Sequence, residues 1–159
     1  MPTGVGVEAL QEARANAALP AAGAWDATPP ELVCAEADEV LLSFTYTRGA
    51  VGGAFDFQVQ VSPYSVAALV PAGAQEWQPM SLYAAGGVVA GADSQSHVQR
   101  EYMTYGATGA AAEAFVYGPI RLDGAVERLR VRAMESGVGG SPGTLQITAV
   151  FQEAIDVHY

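Results

Sequence analysis

A regular alternation of apolar and polar residues in the first half of the chain constrains the fold more than any other feature. From Val40 to Thr47 every second residue is a large apolar or aromatic side chain, and the same period returns from Phe55 to Ser62. A period of two places the apolar side chains on one face of an extended strand. Arg48-Gly49 and Gly52-Gly53, between the two segments, are typical turn residues. The sequence therefore predicts two half-buried strands joined as a β-hairpin.

Strand-like segments separated by turn residues continue to the end of the chain. We predict them near Ala24–Val33, Trp77–Tyr83, His97–Tyr105, Phe115–Leu122, Val126–Met134 and Thr144–Gln152. No segment between them reads as a helix long enough for the crossover that parallel strands need. The predicted fold is all-β, an eight-stranded antiparallel jelly-roll-like β-sandwich.

The N-terminal residues differ in composition from the rest of the chain. The stretch from Val7 to Leu19 is rich in Ala, Glu and Arg, and Pro20 follows it. Such residues favour a helix, and proline ends one. We therefore predict a short N-terminal arm or capping helix over residues 1–20, outside a β-sandwich domain of residues 21–159.

Charge and composition disfavour several classes of partner. The chain of 159 residues carries 17 acidic and 7 basic side chains, all seven of them arginine, for a net charge of −10. A strongly acidic chain is repelled by phosphate backbones, so we expect no direct nucleic-acid partner. No apolar run reaches the roughly 18 residues of a membrane helix, and we expect no membrane contact. The single cysteine, Cys34, excludes an intrachain disulfide.

Residues that could carry catalysis are few and isolated. His97 and His158 have no cysteine or second histidine at a metal-binding spacing. Ser141 lies in a G-x-S-x-G string, but Pro142 after it has no N–H for an oxyanion hole. Cys34 lies in an apolar run, as expected of a buried thiol. We therefore predict no catalytic, cofactor or metal site, and no enzyme activity.

The most specific polar feature is a stripe of arginines at Arg128, Arg130 and Arg132, which alternate with apolar residues and so share one strand face. Three like charges on one face need opposing carboxylates. Those could come from a neighbouring chain, which would make the stripe an interface. They could equally come from the same sheet, for example from Glu113 or Glu153. The sequence leaves both alternatives open.

Aromatic residues leave a second functional class open. Trp25, Trp77 and several tyrosines could form a platform on which sugar rings stack. Aromatic side chains also fill the cores and interfaces of β-sandwiches, and this is the reading that we favour. A carbohydrate-binding or receptor-binding module is therefore the alternative function.

Three segments, EVLLSFTYTRGAVGGAFDFQVQVSP, WQPMSLYAAG and VERLRVRAMESGVGGSPGTLQITAVF, resemble the small jelly-roll structural proteins of tailed-bacteriophage virions. The resemblance covers roughly residues 21–152 and is one of strands and turns. It implies a non-enzymatic virion protein of the capsid decoration or auxiliary type. Such a protein is expected at the capsid surface, as a homotrimer on the lattice of a major capsid protein or bound to another virion protein. The resemblance brings no catalytic residues and no cofactor.

Overall fold

A computed structural model describes residues 9–21, 23–34, 37–49, 53–83, 99–107, 111–122, 126–136 and 142–153. In chain order the strands are β1 (Leu10–Ala18), β2 (Leu32–Val33), β3 (Glu39–Thr47), β4 (Ala54–Ser62), β5 (Gln78–Pro79), β6 (Leu82–Tyr83), β7 (Gln99–Arg100), β8 (Met103–Gly106), β9 (Glu113–Arg121), β10 (Arg128–Glu135) and β11 (Thr144–Gln152). A single 3-10 turn at Ala67–Leu69 is the only helical element in these ranges. No helix in the described residues could cross a membrane.

The strands form two antiparallel sheets that pack face to face. Sheet I has the order β1-β11-β3-β9. Sheet II has the order β2-β10-β4, and both β5 and β8 pair with the far edge of β4. Strands β6 and β7 form a separate two-stranded ribbon. The predicted all-β sandwich is confirmed.

Alternating side chains explain why these segments become half-buried strands. On β3, the residues Val40, Leu42, Phe44 and Tyr46 are fully buried. Phe44 meets sheet II across the core, with its ring centre 4.6 Å from that of Phe57. Contacts of this kind contribute about 1 kcal/mol each beyond the burial of apolar surface. An aromatic cluster therefore holds the two sheets together at the centre of the core.

The predicted hairpin of β3 and β4 is wrong, although both strands are present. Strand β3 pairs with β11 and β9 in sheet I, whereas β4 pairs with β10, β5 and β8 in sheet II. The connection between β3 and β4 thus crosses from one sheet to the other. Alternation fixes which face of a strand is buried, but it does not fix the neighbouring strand. The final pair, β10 and β11, is divided between the sheets in the same way.

The helix predicted for the N-terminal arm is also wrong within the described residues. Leu10–Ala18 is strand β1, which pairs antiparallel with β11. Helix propensity is a weak preference, and the otherwise open edge of β11 offers a row of backbone hydrogen bonds. Register shifts on both sides of Arg14 let it and its neighbour Ala13 be buried together. This part of the arm is therefore the edge strand of sheet I.

The pairing follows the chain from its ends toward its middle. Strand β1 pairs with β11, β2 with β10, β3 with β9, and β4 with β5 and β8. Strands β10 and β4 then lie side by side in sheet II. Their outward-facing residues form the polar surface described next.

Candidate interface on the outer face of sheet II

The three arginines of the predicted stripe share one surface, as the sequence indicated. On β10, the residues Leu129, Val131 and Ala133 are fully buried in the core, so the alternate positions face outward. Arg128, Arg130 and Arg132 lie opposite Ser62, Gln60 and Gln58 of β4. We call this surface, with Trp25 and Trp77 that pack on it, the Arg–Trp face.

Arg128 is neutralised by carboxylates of its own chain. The side chain is 7% exposed. Its Nη2 lies 2.7 Å from Oε2 of Glu76, Nη1 forms an ion pair with Glu31, and Nε donates to the carbonyl of Tyr64 at 2.6 Å. Burial alone would lower the pKa of Arg128, but Glu76 and Glu31 outweigh burial and raise it. Arg128 is therefore a fully partnered structural residue.

Arg130 and Arg132 are held differently, by neutral side chains. The Nε of Arg130 donates to Oε1 of Gln60 at 2.7 Å, and the Nε of Arg132 donates to Oε1 of Gln58 at 2.6 Å. Both glutamines are buried. Each of these arginines is half-buried. A buried amide therefore fixes the orientation of each guanidinium without cancelling its charge.

Two tryptophans complete the surface. The Cζ atoms of Arg130 and Arg128 lie 4.3 Å and 4.9 Å from the ring centre of Trp77. The Cζ atom of Arg132 lies 5.0 Å from the ring centre of Trp25. These distances are within the range of cation–π attraction. The aromatic rings therefore restrict the arginine rotamers and partly shield the guanidinium groups from water.

Burial is the main cause of the lowered pKa values of Arg130 and Arg132. For Arg130, the charges of Arg132 and Arg128 lower the pKa further, whereas those of Glu31 and Glu76 oppose this effect. Like charges that approach in a partly desolvated setting disfavour the charged form. The two guanidinium groups thus repel each other across the outer face.

Sequence reasoning located the stripe but not its partners. Glu113 and Glu153, the acids considered as opposing charges, belong to sheet I and to the residue after its strand β11. The acids that bind Arg128 come instead from loops, Glu31 before β2 and Glu76 before β5. They are 97 and 52 residues from Arg128 along the chain, so no local pattern indicates them.

Cys34 lies among the core residues of the sandwich. Cys34 is fully buried, and its Sγ donates to the carbonyl of Val126 at 3.8 Å. Burial, with a smaller contribution from Glu127, raises the pKa of this thiol to about 12. The prediction of a buried thiol is confirmed. His97, His158 and Ser141 lie outside the described residues.

Acidic and thiol side chains do not converge elsewhere in the described ranges. No group of three or more His, Cys, Asp or Glu side chains suited to a metal ion occurs among those residues.

Comparisons with known proteins add no relative: no family model matches the sequence, and no curated protein or solved structure matches it.

Proposed function

We propose that the chain is a jelly roll. The sandwich has eight strand positions when β5 and β8 count as one position beside β4 and the separate ribbon of β6 and β7 is left out. Numbered in chain order, these positions run 1-8-3-6 across sheet I and 2-7-4-5 across sheet II. Pairing from the chain ends toward the middle is what two interlocked Greek keys produce. The crossing of β3 and β4 between sheets supports the same topology.

On this fold, the proposed function is that of a non-enzymatic virion structural protein. It would act as a capsid decoration or stabilising protein, assembling as a trimer on the lattice of a major capsid protein. The strand order carries the proposal, because jelly rolls recur in viral capsid proteins. The net charge of −10 suits a subunit that must stay soluble before assembly.

The test is sedimentation of the protein with particles. Cells that produce the protein are lysed and the lysate is separated on a density gradient. We expect the protein in the fractions that contain capsid shells, and density for it on the shell surface by electron cryomicroscopy. Purified protein should have the mass of a trimer by light scattering. Recovery only as a free monomer at the top of the gradient would contradict the proposal.

A carbohydrate-binding or receptor-binding module is the second candidate. The observation in its favour is Tyr102, which is 44% exposed beside Trp25. Their rings meet edge to face, with centres 6.0 Å apart, and do not form a flat platform. Titration with neutral oligosaccharides, followed by tryptophan fluorescence, distinguishes the two functions. A saturable change that is lost in Tyr102→Ala would favour the sugar-binding role.

A further inference from the structure

Arg130 and Arg132 each keep hydrogen-bonding capacity that the described part of the chain does not use. A guanidinium has five N–H donors. The only side-chain hydrogen bond that either arginine makes within the described ranges is the one from Nε to a glutamine. The two Nη groups of each arginine are therefore available to an external acceptor. Both side chains are half-buried, so solvent reaches this surface.

The same strand shows which ligand satisfies such an arginine. Arg128, two residues before Arg130, binds the carboxylates of Glu31 and Glu76 through its Nη atoms. Residues two apart on a strand lie about 7 Å apart on one face. The backbone positions of Arg130 and Arg132 thus have the spacing of alternate residues on another extended strand.

We propose that Arg130 and Arg132 bind two carboxylates of an extended acidic segment in a protein partner, the acidic side chains standing two residues apart. Each carboxylate would accept hydrogen bonds from the Nη groups of one arginine. The positive charge of the arginines favours acidic side chains in the partner, and their spacing on the strand favours an extended partner backbone. Trp25, which packs against Arg132, and Tyr102, which packs against Trp25, are of the residue types that carry most of the energy of protein interfaces.

Two physical arguments favour binding at this position. The guanidinium groups are already oriented by glutamine and tryptophan, so less side-chain entropy is lost on binding. A bound carboxylate would also relieve the repulsion between Arg130 and Arg132 that lowers the pKa of Arg130. Glu31 and Glu76 also act on Arg130, but both are held in ion pairs with Arg128. More distant acids of the chain matter less, because salt screens charges beyond about 8 Å.

Intrinsic tryptophan fluorescence can detect binding at the Arg–Trp face. It has two tryptophans, and both contact the arginines of the Arg–Trp face. Tryptophan fluorescence therefore reports on this face alone. The probe is the peptide Glu-Thr-Glu-Thr-Glu, and its neutral control is Gln-Thr-Gln-Thr-Gln. Each is titrated into the full-length protein at low and at physiological salt.

We expect a saturable fluorescence change with the glutamate peptide, weakened by salt, and none with the glutamine peptide. The double variant R130Q/R132Q should lose about tenfold or more in affinity, since it removes both charge-assisted contacts. R48Q/R121Q removes the same charge from exposed positions near sheet I and should bind like the wild type. R130K/R132K keeps the positive charge but lacks the planar guanidinium that binds a carboxylate through two N–H groups, so it should bind with intermediate affinity.

Several results would overturn the proposal. One is equal binding of the glutamine peptide, and another is unchanged affinity in a folded R130Q/R132Q protein. Absence of a fluorescence response to the glutamate peptide at every salt concentration would also overturn it. So would self-association of the protein that R130Q/R132Q abolishes but that the glutamate peptide does not inhibit. The proposal is independent of the virion role, because the peptide experiment uses the free protein and the gradient experiment uses particles.

Discussion

The guanidinium of Arg14 forms a bidentate ion pair with the carboxylate of Asp26, with Nε 2.9 Å from Oδ2 and Nη2 3.2 Å from Oδ1. Oδ2 of Asp26 also accepts the amide of Ala133 at 3.0 Å. Arg14 lies on β1 in sheet I, and Ala133 lies on β10 in sheet II. The pair therefore connects the edge strand β1 of sheet I with strand β10 of sheet II through polar atoms.

Replacing Arg14 by glutamine should lower the free energy of unfolding by roughly 3 kcal/mol, because the partly buried carboxylate of Asp26 loses its counter-charge. The loss of hydrogen bonds from Nη1 to the carbonyls of Ala17 and Leu145 adds to the effect. Urea unfolding followed by circular dichroism measures the change.

Two further variants make this measurement specific. Glu12→Gln changes an exposed residue of the same strand and should alter stability by less than about 0.5 kcal/mol. The double variant R14Q/D26N should be less destabilised than the sum of the two single variants, because they act on one pair. Additive effects would contradict the coupling of Arg14 to Asp26.

Two glycine substitutions distinguish a steric clash from backbone strain as the cause of lost stability. A Cβ atom on Gly143 would lie 2.5 Å from the carbonyl oxygen of Thr47 and 2.6 Å from Cε2 of Tyr46. Gly143→Ala should therefore destabilise the protein by about 3 kcal/mol, at the upper end of overpacking costs. Gly73 has φ of +82° with no atom within 4 Å of the added Cβ. Gly73→Ala should cost about 1 kcal/mol, and equal effects in thermal unfolding would refute the steric argument.

Tyr46 is expected to stabilise a buried carboxylate. Its hydroxyl donates to Glu135, 3.0 Å from Oε1 and 3.2 Å from Oε2, and the amide of Gly143 donates to Oε2 at 2.9 Å. Tyr46→Phe removes one donor from a carboxylate that is 4% exposed. We expect a loss of about 1–3 kcal/mol in urea unfolding. Tyr102→Phe, at an exposed position, serves as the control, and an equal effect of both variants would argue against the interaction.

Stability should fall at alkaline pH. Burial raises the pKa of Cys34 from 9.0 to about 12, and burial also raises the pKa values of Tyr46 and Tyr105 above their ordinary 10.0. The folded state then holds these protons more tightly than the unfolded state. The contribution of Cys34 is complete below about pH 9 and is lost as pH rises from about 9 to 12, and the contribution of the tyrosines starts to be lost above about pH 10. Urea midpoints measured across this range test the prediction.

Cys34→Ala isolates the thiol contribution. The variant should lose less stability than the wild type as pH rises from about 9 to 12, because only the wild type has the thiol, whereas the tyrosines contribute equally to both proteins. In the native wild type, a thiol reagent at neutral pH should react slowly, whereas the urea-unfolded protein should react at once. Fast stoichiometric labelling of the native protein would contradict the burial of Cys34.

Sequence reasoning was most successful where one residue property decides the outcome. The alternation in β3 and β10 identified the buried faces, and it placed Arg128, Arg130 and Arg132 together. Partner identity depends on long-range geometry instead. Hence the hairpin of β3 and β4 was wrong, and so was the helix over β1, where backbone pairing with β11 outweighs local propensity. Glu31 and Glu76 were missed because loop positions carry no periodic signal.

The strand order has a consequence for folding during synthesis on the ribosome. Strand β11 lies between β1 and β3, and strand β10 lies between β2 and β4. Each sheet has an interior strand that emerges late, after the strands on both of its sides. Arg14 binds the carbonyl of Leu145, 131 residues further along the chain. A nascent chain that ends before β10 can complete neither sheet, and its early strands keep open edges. We therefore expect the sandwich to close only after β11 has left the exit tunnel, with a slow folding step set by these distant pairings.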